Sequence, residues 1–347
     1  MKGIFVVVLA LVALFCPAVS LADTVYVDYD GLGGYTRIQD GIDAASDGDI
    51  VCVYATYGGP VTFRGAGNCD LDFGGKNITL SVLAGQEISI DCEGSARAIL
   101  LSTGTDSTSH IIGFTFLNGY ATDGGGAIRC DGESPRISHC IFRDNSAPDG
   151  GAIMLTQGPT RLTNCVFYGN SASNHGGSVY ATDSDVTVSG CTFSDNEAVR
   201  GGGLAMVGSN LTMVSCTLAN NEGVFGSSVW FDEGSTATIE QCVLAFGRSG
   251  QCLWGGAPET FHCCVFGNDN GDDLPGTPHD NLFLDPLICS LYGADGGNMS
   301  LCSNSPCLPS SASNPWGLQI GSRVQGCPDC DSPIEQSSWG TIKALFR

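Results

Sequence analysis

The stretch Arg161-Leu162-Thr163-Asn164-Cys165-Val166-Phe167-Tyr168-Gly169-Asn170, with Gly176-Gly177-Ser178-Val179-Tyr180 after it, decides the fold because the chain repeats it. Cys165 has counterparts at Cys140, Cys191, Cys216 and Cys242, at spacings of 25, 26, 25 and 26 residues. Three residues before each stands an apolar side chain: Ile137, Leu162, Val188, Met213 and Ile239. Two residues after stands Phe142, Phe167, Phe193, Leu218 or Leu244. A polar turn then ends in Asn145, Asn170, Asn196 or Asn221, and glycines open the next apolar run at Gly150-Gly151, Gly176-Gly177, Gly201-Gly202-Gly203 and Gly226. An earlier, degenerate copy holds Phe114, Phe116 and Gly124-Gly125-Gly126, and a later one Cys264-Val265-Phe266.

The repeats alternate at intervals of two and use Gly, Ser, Thr and Asn where a helix needs Ala, Leu, Glu or Lys, so they are strands. A propeller blade needs four strands in roughly 40 residues, too many for this period. Two or three short strands with turns match one coil of a parallel β-helix. Equivalent residues then stack about 4.8 Å apart, and each repeated position becomes a ladder. Phe and aliphatic columns fill the core, Asn columns hydrogen-bond along the stack, and Gly columns supply backbone angles that other residues resist. The Cys column lies within Cα range of disulfides, but parallel inward side chains hold Cβ atoms beyond the usual ~3.8 Å, which favours buried thiols packing as small hydrophobes.

Outside the repeats, the 347 residues divide into three parts. Residues 1–22 carry Lys2, an apolar run from Ile4 to Phe15 and the small-residue site Ser20-Leu21-Ala22, the pattern of a cleavable secretory signal. Residues 23–286 form the solenoid, opened by a short helix over residues 36–46 in which Thr36-Arg37-Ile38-Gln39 fits a capping box. Residues 287–347 form a Cys-rich cap and tail. No later segment approaches the roughly 18 apolar residues that span a membrane. The formal net charge of −22 excludes nucleic acid as a natural partner. Seventeen of the 18 Cys follow residue 22, an odd number, so an exported chain keeps at least one outside intrachain disulfides.

On these residues the chain resembles the right-handed parallel β-helix, or pectin-lyase-like, superfamily, with Tyr35 to Asp49 similar to its usual opening helix and first strand. Phe142-Arg143-Asp144-Asn145 with Gly150-Gly151-Ala152-Ile153, and the copy at Phe167 and Gly176, resemble the paired motifs of polymorphic outer-membrane proteins. The resemblance covers roughly residues 24–286 and implies a fold more than a function, since the scaffold carries lyases, hydrolases, epimerases, adhesins and inactive proteins. The outer-membrane relatives end in a translocator barrel, which the 60 residues from Ile288 are too short to form, so neither autotransport nor membrane insertion is expected.

No catalytic motif of the superfamily is complete: there is no Gly-His-Gly, Arg-Ile-Lys or Asn-Thr-Asp, and no Arg-x-Pro-x-x-Arg. The best catalytic cluster is Arg136 and Arg161 with Asp144 and Asp149, beside Arg129, Arg143, Asp123 and Asp131; a solvated, salt-bridged surface is the simpler account of it. His279-Asp280 resembles the pair of alginate epimerases without the flanking motif, and reads as a loop. Asp269, Asp272 and Asp273 offer oxygen ligands to calcium, but the loop lacks a terminal Glu and reads as an acidic turn. Cys327-Pro328-Asp329-Cys330 with Cys302 and Cys307 has zinc-knuckle spacing, and disulfides suit an exported chain better. No cofactor is therefore expected, and Trp339 to Arg347 reads as a docking tail or a frayed end.

The strand after each Gly pair gives the sharper expectation. Ile128, Ile153, Val179, Leu204 and Val229 point inward, as do Cys130, Leu155, Ala181, Met206 and Phe231, so Arg129, Met154, Tyr180, Ala205 and Trp230 face outward. Tyr180 and Trp230 would stand about 10 Å apart, suited to stacking on alternate sugar rings. The sequence thus predicts an exported, non-catalytic scaffold, secreted or at the cell surface, that binds polysaccharide or another surface ligand. A polysaccharide lyase or hydrolase and a purely structural surface protein are the alternatives.

Overall fold

In the computed structural model the repeats wind into a parallel solenoid whose coils each contribute to three long sheets and, in the middle, to a fourth short one. The structure describes residues 22–102, 109–288, 301–322 and 325–327. The expected signal segment, all but its last residue, and the tail from Trp339 to Arg347 lie outside the described residues.

The longest sheet has eleven parallel strands, from Thr24–Asp28 to Thr277–His279. A second sheet of nine strands runs from Val61–Arg64 to Cys264–Phe266, and a third of eight from Leu71–Asp72 to Leu253–Trp254. The fourth joins Ser146–Asp149, Ser171–His175, Glu197–Arg200 and Glu222–Phe225, just before the glycines of each coil. Register is strict: Phe116, Phe142, Phe167 and Phe193 are mutual partners, and their rings stack at 5.1, 4.8 and 4.6 Å. Every one is fully buried, as the inward assignment requires.

Two columns do more than fill space. Each of Asn145, Asn170 and Asn196 donates through Nδ2 to the Oδ1 of the next Asn, at 2.9, 3.0 and 2.9 Å, and to the carbonyl of a Phe one coil back. The amide N–H of each also donates to that same Oδ1. Cys140, Cys165, Cys191, Cys216 and Cys242 are free buried thiols, as expected. Each thiol donates to the carbonyl two residues before it, at 3.2–3.4 Å, across a corner held in the left-handed region, as at His139 and Asn164. A small apolar side chain with a weak donor suits that corner.

The next Cys of the ladder is Cys263, not Cys264. Only 21 residues separate it from Cys242, and Val265 rather than Phe266 continues the Phe column against Leu244. One inter-coil disulfide, Cys69–Cys92, forms at a different corner, with Cα atoms 5.9 Å apart.

The opening helix spans Ile38–Ala44 and buries Ile38 and Ile42 over the first coil. Its N-cap is Arg37, without a side-chain cap, so the capping box expected at Thr36 does not form. The loop of the next coil supplies the acceptors instead: Asn68 Oδ1 for the Ile38 N–H at 3.0 Å and the Gly67 carbonyl for the Gln39 N–H at 2.9 Å. Gln39 turns its amide to Asp43 and Asp72. Beyond the last coil the chain does not merely close the end. Ile288, Leu301, Cys307, Leu308 and Ile320 cover the outer face of the second sheet at Ala219, Val243, Ala245 and Cys264 as a second core.

Candidate functional site

The outward column after the glycines forms as expected, with Arg129, Met154, Tyr180, Ala205 and Trp230 in continuous register. It extends one coil further to Trp254, which is 40% exposed. The column is not a bare strip along its whole length. Arg129 is tied down by ion pairs to Asp123 and Asp131, at 2.9 and 2.8 Å, and Asp123 is shared with the buried Arg97. Burial works against the Asp123 carboxylate, but Arg97 and Arg129 hold its pKa below the usual range. Met154 lies directly over Gly124 and Gly125. The first two positions therefore close on themselves.

From Tyr180 onward the surface is built differently. Ala205 is fully buried, and the His175 ring lies with its centroid 5.5 Å from each of Ala205's column neighbours, Tyr180 and Trp230. Asp149 Oδ1 holds His175 Nδ1 at 2.7 Å, which leaves Nε2 facing Arg200 at 3.4 Å. The Arg200 guanidinium lies 5.6 Å from the Trp230 ring centre and 5.7 Å from that of Phe225, and Phe225 packs edge-on to Trp254 at 5.4 Å. Among the described residues Arg200 has no carboxylate partner. Burial, with Asp149 next, raises the Tyr180 hydroxyl pKa, so it is a neutral donor at physiological pH.

His175, Arg200 and Phe225 were absent from the sequence reading, yet a signal was available. Each is the residue immediately before a column glycine, Gly176, Gly201 or Gly226, and with Asp149 before Gly150 they pair along the short sheet.

The four residues of the catalytic alternative do not share one face. Arg136 and Arg161 are exposed neighbours on the eleven-stranded sheet. Asp144 sits at the turn after the second sheet, ion-paired to Arg143 at 3.0 Å, and Asp149 belongs to the short sheet and holds His175. Asp144 lines a groove of about 420 Å³ with Asp91, Glu93 and Asn118. Burial raises the Asp91 pKa, but hydrogen bonds from Asn118, the Glu93 amide and Arg64 outweigh it and keep this carboxylate ionised. Arg64 thereby joins Asp91 and Glu93 in one ion-paired group.

Asp195 is the carboxylate that burial perturbs most clearly, pushed up to about 6 against the pull of Arg248 and Asn220. Its Oδ2 and the Arg248 Nε are both buried without a hydrogen-bond partner. The folded chain binds this proton more tightly than the unfolded chain, so the ionisation penalty is present above pH 6 and is lost as pH falls towards 4. Asp195→Asn should therefore raise the melting temperature at pH 7.5 by roughly 2–4 °C, and the gap should close by about pH 4 in calorimetry across that range. A gap independent of pH would contradict the assignment.

The expected acidic turn is internally satisfied. Asp272 accepts from the Gly267 and Asn268 amides, and Asp269 accepts from Ser249. Among the described residues no three His, Cys, Asp or Glu side chains are grouped to hold a metal ion. His279 stacks on Phe261 at 4.7 Å in the last strand of the long sheet, rather than in a loop. Cys302 is disulfide-bonded, which removes it from a zinc knuckle; Cys307 is a buried thiol, and Cys330 lies outside the described residues. No helix among the described residues is long and apolar enough to cross a membrane.

A family model described as a right handed beta helix region matches residues 113–285. The match is to this fold as a whole rather than to the outer-membrane proteins in particular. No curated protein matches the chain.

Proposed function

We propose that this right-handed parallel β-helix is an exported, non-catalytic scaffold that binds polysaccharide along the surface from Tyr180 to Trp254. The observation that carries the reading is one continuous patch in which Tyr180, Trp230 and Trp254 present rings at ladder positions, with His175 and Arg200 placed between and beside them. Large rings give apolar contact with sugar faces, and the Tyr180 hydroxyl, His175 and Arg200 supply polar contacts around them. The net charge of −22 works against any polyanion, so a preference for an acidic over a neutral glycan rests locally on the Arg200 guanidinium, which has no carboxylate partner among the described residues. The localisation that fits is secreted or cell-surface.

The enzymatic alternative rests on the groove at Asp91, Glu93 and Asp144, whose carboxylates are engaged by Arg64 and Arg143 in ion pairs of a kind that also serves structure. A purely structural assembly would extend the long sheet from copy to copy, and both of its ends are blunted. Tyr35 bonds the first strand through the Asp28 N–H and the Tyr26 carbonyl, and Pro278 stands in the last strand.

Trp230→Ala is expected to weaken glycan binding by on the order of 2 kcal/mol, about 30-fold in Kd, and Tyr180→Ala to weaken it in the same direction. Arg200→Ala should reduce the preference for acidic polymers and its salt dependence. Affinity electrophoresis with uronate and neutral polysaccharides measures all three. Wild-type affinity in the Trp230→Ala and Tyr180→Ala variants would remove the patch from the account.

A further inference from the structure

The cysteine that breaks the ladder register stands where the C-terminal cap meets the solenoid. Because Val265 points into the coil against Leu244, Cys264 points out, on the column of Thr192, Thr217 and Val243. The cap covers that position, and Cys264 and Cys307 are both fully buried in the small second core with Ile288, Leu301, Leu308 and Ile320. The Cys264 thiol donates to the Leu284 carbonyl at 3.1 Å, and Cys307 is near enough to be the largest influence raising its pKa, ahead of burial. The cap is fixed in this position by polar contacts on either side. The Gly321 N–H donates to the Gln241 carbonyl at 2.7 Å, and Ser322 bonds Thr217 and Thr192 through its N–H and hydroxyl at 3.0 and 2.8 Å.

We propose that Cys264 and Cys307 are a disulfide site that staples the C-terminal cap to the side of the solenoid. The ladder cysteines are held apart by their own backbone spacing, whereas Cys264 faces a segment outside the ladder, free to approach at disulfide distance. Cys69–Cys92 and the bonded Cys302 mark a chain that folds under oxidising conditions. The pairing is consistent with the odd cysteine count, because the thiols left in the interior are themselves odd in number. Nine interior thiols remain, namely Cys52, Cys130, Cys252 and the six of the ladder, and Cys289, Cys302, Cys327 and Cys330 are left as an even set in the tail.

The chemistry is thiol–disulfide exchange with an oxidising disulfide such as oxidised glutathione. One thiolate attacks it to give a mixed disulfide and one released thiol. The second cysteine, losing its proton, displaces the other thiol and closes the Cys264–Cys307 bond, so two electrons pass to the oxidant. Since neither sulfur is exposed in the docked cap, exchange accompanies docking rather than following it.

The test is to refold the chain from Asp23 in a glutathione redox buffer, denature it, alkylate it without reduction and map its peptides. The expected result is a linked Cys264–Cys307 peptide, with the nine interior cysteines alkylated. In Cys307→Ala, Cys264 should become alkylatable, and limited proteolysis should release the segment beyond Leu284 about tenfold faster or more. Separate alkylation of Cys264 and Cys307 in the wild-type chain, or Cys307 linked to Cys289, Cys302, Cys327 or Cys330, would overturn the proposal. The wild-type map stands whether or not the variant folds.

Discussion

Gly177→Ala should destabilise the solenoid by about 3 kcal/mol or more, enough to leave the middle coils unable to pack. A Cβ on Gly177 would lie 2.2 Å from the Gly202 carbonyl oxygen and 2.7 Å from the backbone N and O of Glu197. All three are backbone atoms of the next coil, fixed by the ladders on either side, so no side chain can swing away. The same crowding recurs down the column, with Gly126 against the Gly151 oxygen at 2.3 Å and Gly151 against the Gly177 oxygen at 2.2 Å. Relief would require two coils to separate beyond strand spacing and give up ladder hydrogen bonds. Gly132 is the internal control: its φ of +75° is left-handed, but nothing lies within 4 Å of the added atom. Gly132→Ala should cost only the conformational penalty, about 1–2 kcal/mol. Urea denaturation of the two variants separates crowding from backbone preference, and equal losses would contradict the packing argument.

Asn196→Ala should cost about 3–5 kcal/mol, although it removes only a small polar side chain. Asn196 is fully buried; its Oδ1 accepts from the Asn170 N–H and Nδ2, and its Nδ2 donates to the Phe167 carbonyl and Asn221 Oδ1. Alanine leaves those four groups in the interior, where water cannot replace the lost partner. The loss should propagate along the ladder, because Asn170 is positioned for Asn145 by the same contacts. Hydrogen exchange should show lost protection first at Asn170 and Asn221 and their coils. A midpoint within the range of an ordinary surface substitution, about 0.5 kcal/mol, would show that the ladder contributes little.

Both effects trace to columns that are plain in the sequence, because a strict repeat converts spacing along the chain into stacking in space. The inward assignment of Ile128 through Val229 and the outward assignment of Tyr180 and Trp230 follow from the same alternation, and the structure keeps them. What escaped the sequence lies between columns. His175, just before one column glycine, meets the rings of both Tyr180 and Trp230, which stand two coils apart on another strand column, a contact that no single column displays. The helix start at Ile38 finds its acceptor on Asn68 one coil away, so a local capping motif was the wrong place to look. Cys264 falls one position off the ladder because the coil from Cys242 shortens to 21 residues, where periodicity stops being a guide to facing. The catalytic alternative gathered Arg136, Arg161, Asp144 and Asp149 by nearness in sequence, while coil geometry sends them to different sheets and turns.

The central claim is that the face from Tyr180 to Trp254 binds polysaccharide without cleaving it. Native electrophoresis of the chain from Asp23 through gels cast with uronate or neutral polysaccharide, followed by staining of the polysaccharide, tests this directly. The account predicts slowed migration in a uronate gel, restored mobility in the Tyr180→Ala, Trp230→Ala double variant, and an evenly stained gel. A cleared band at the protein's position, or wild-type protein that migrates as freely as the double variant in every gel, would contradict it.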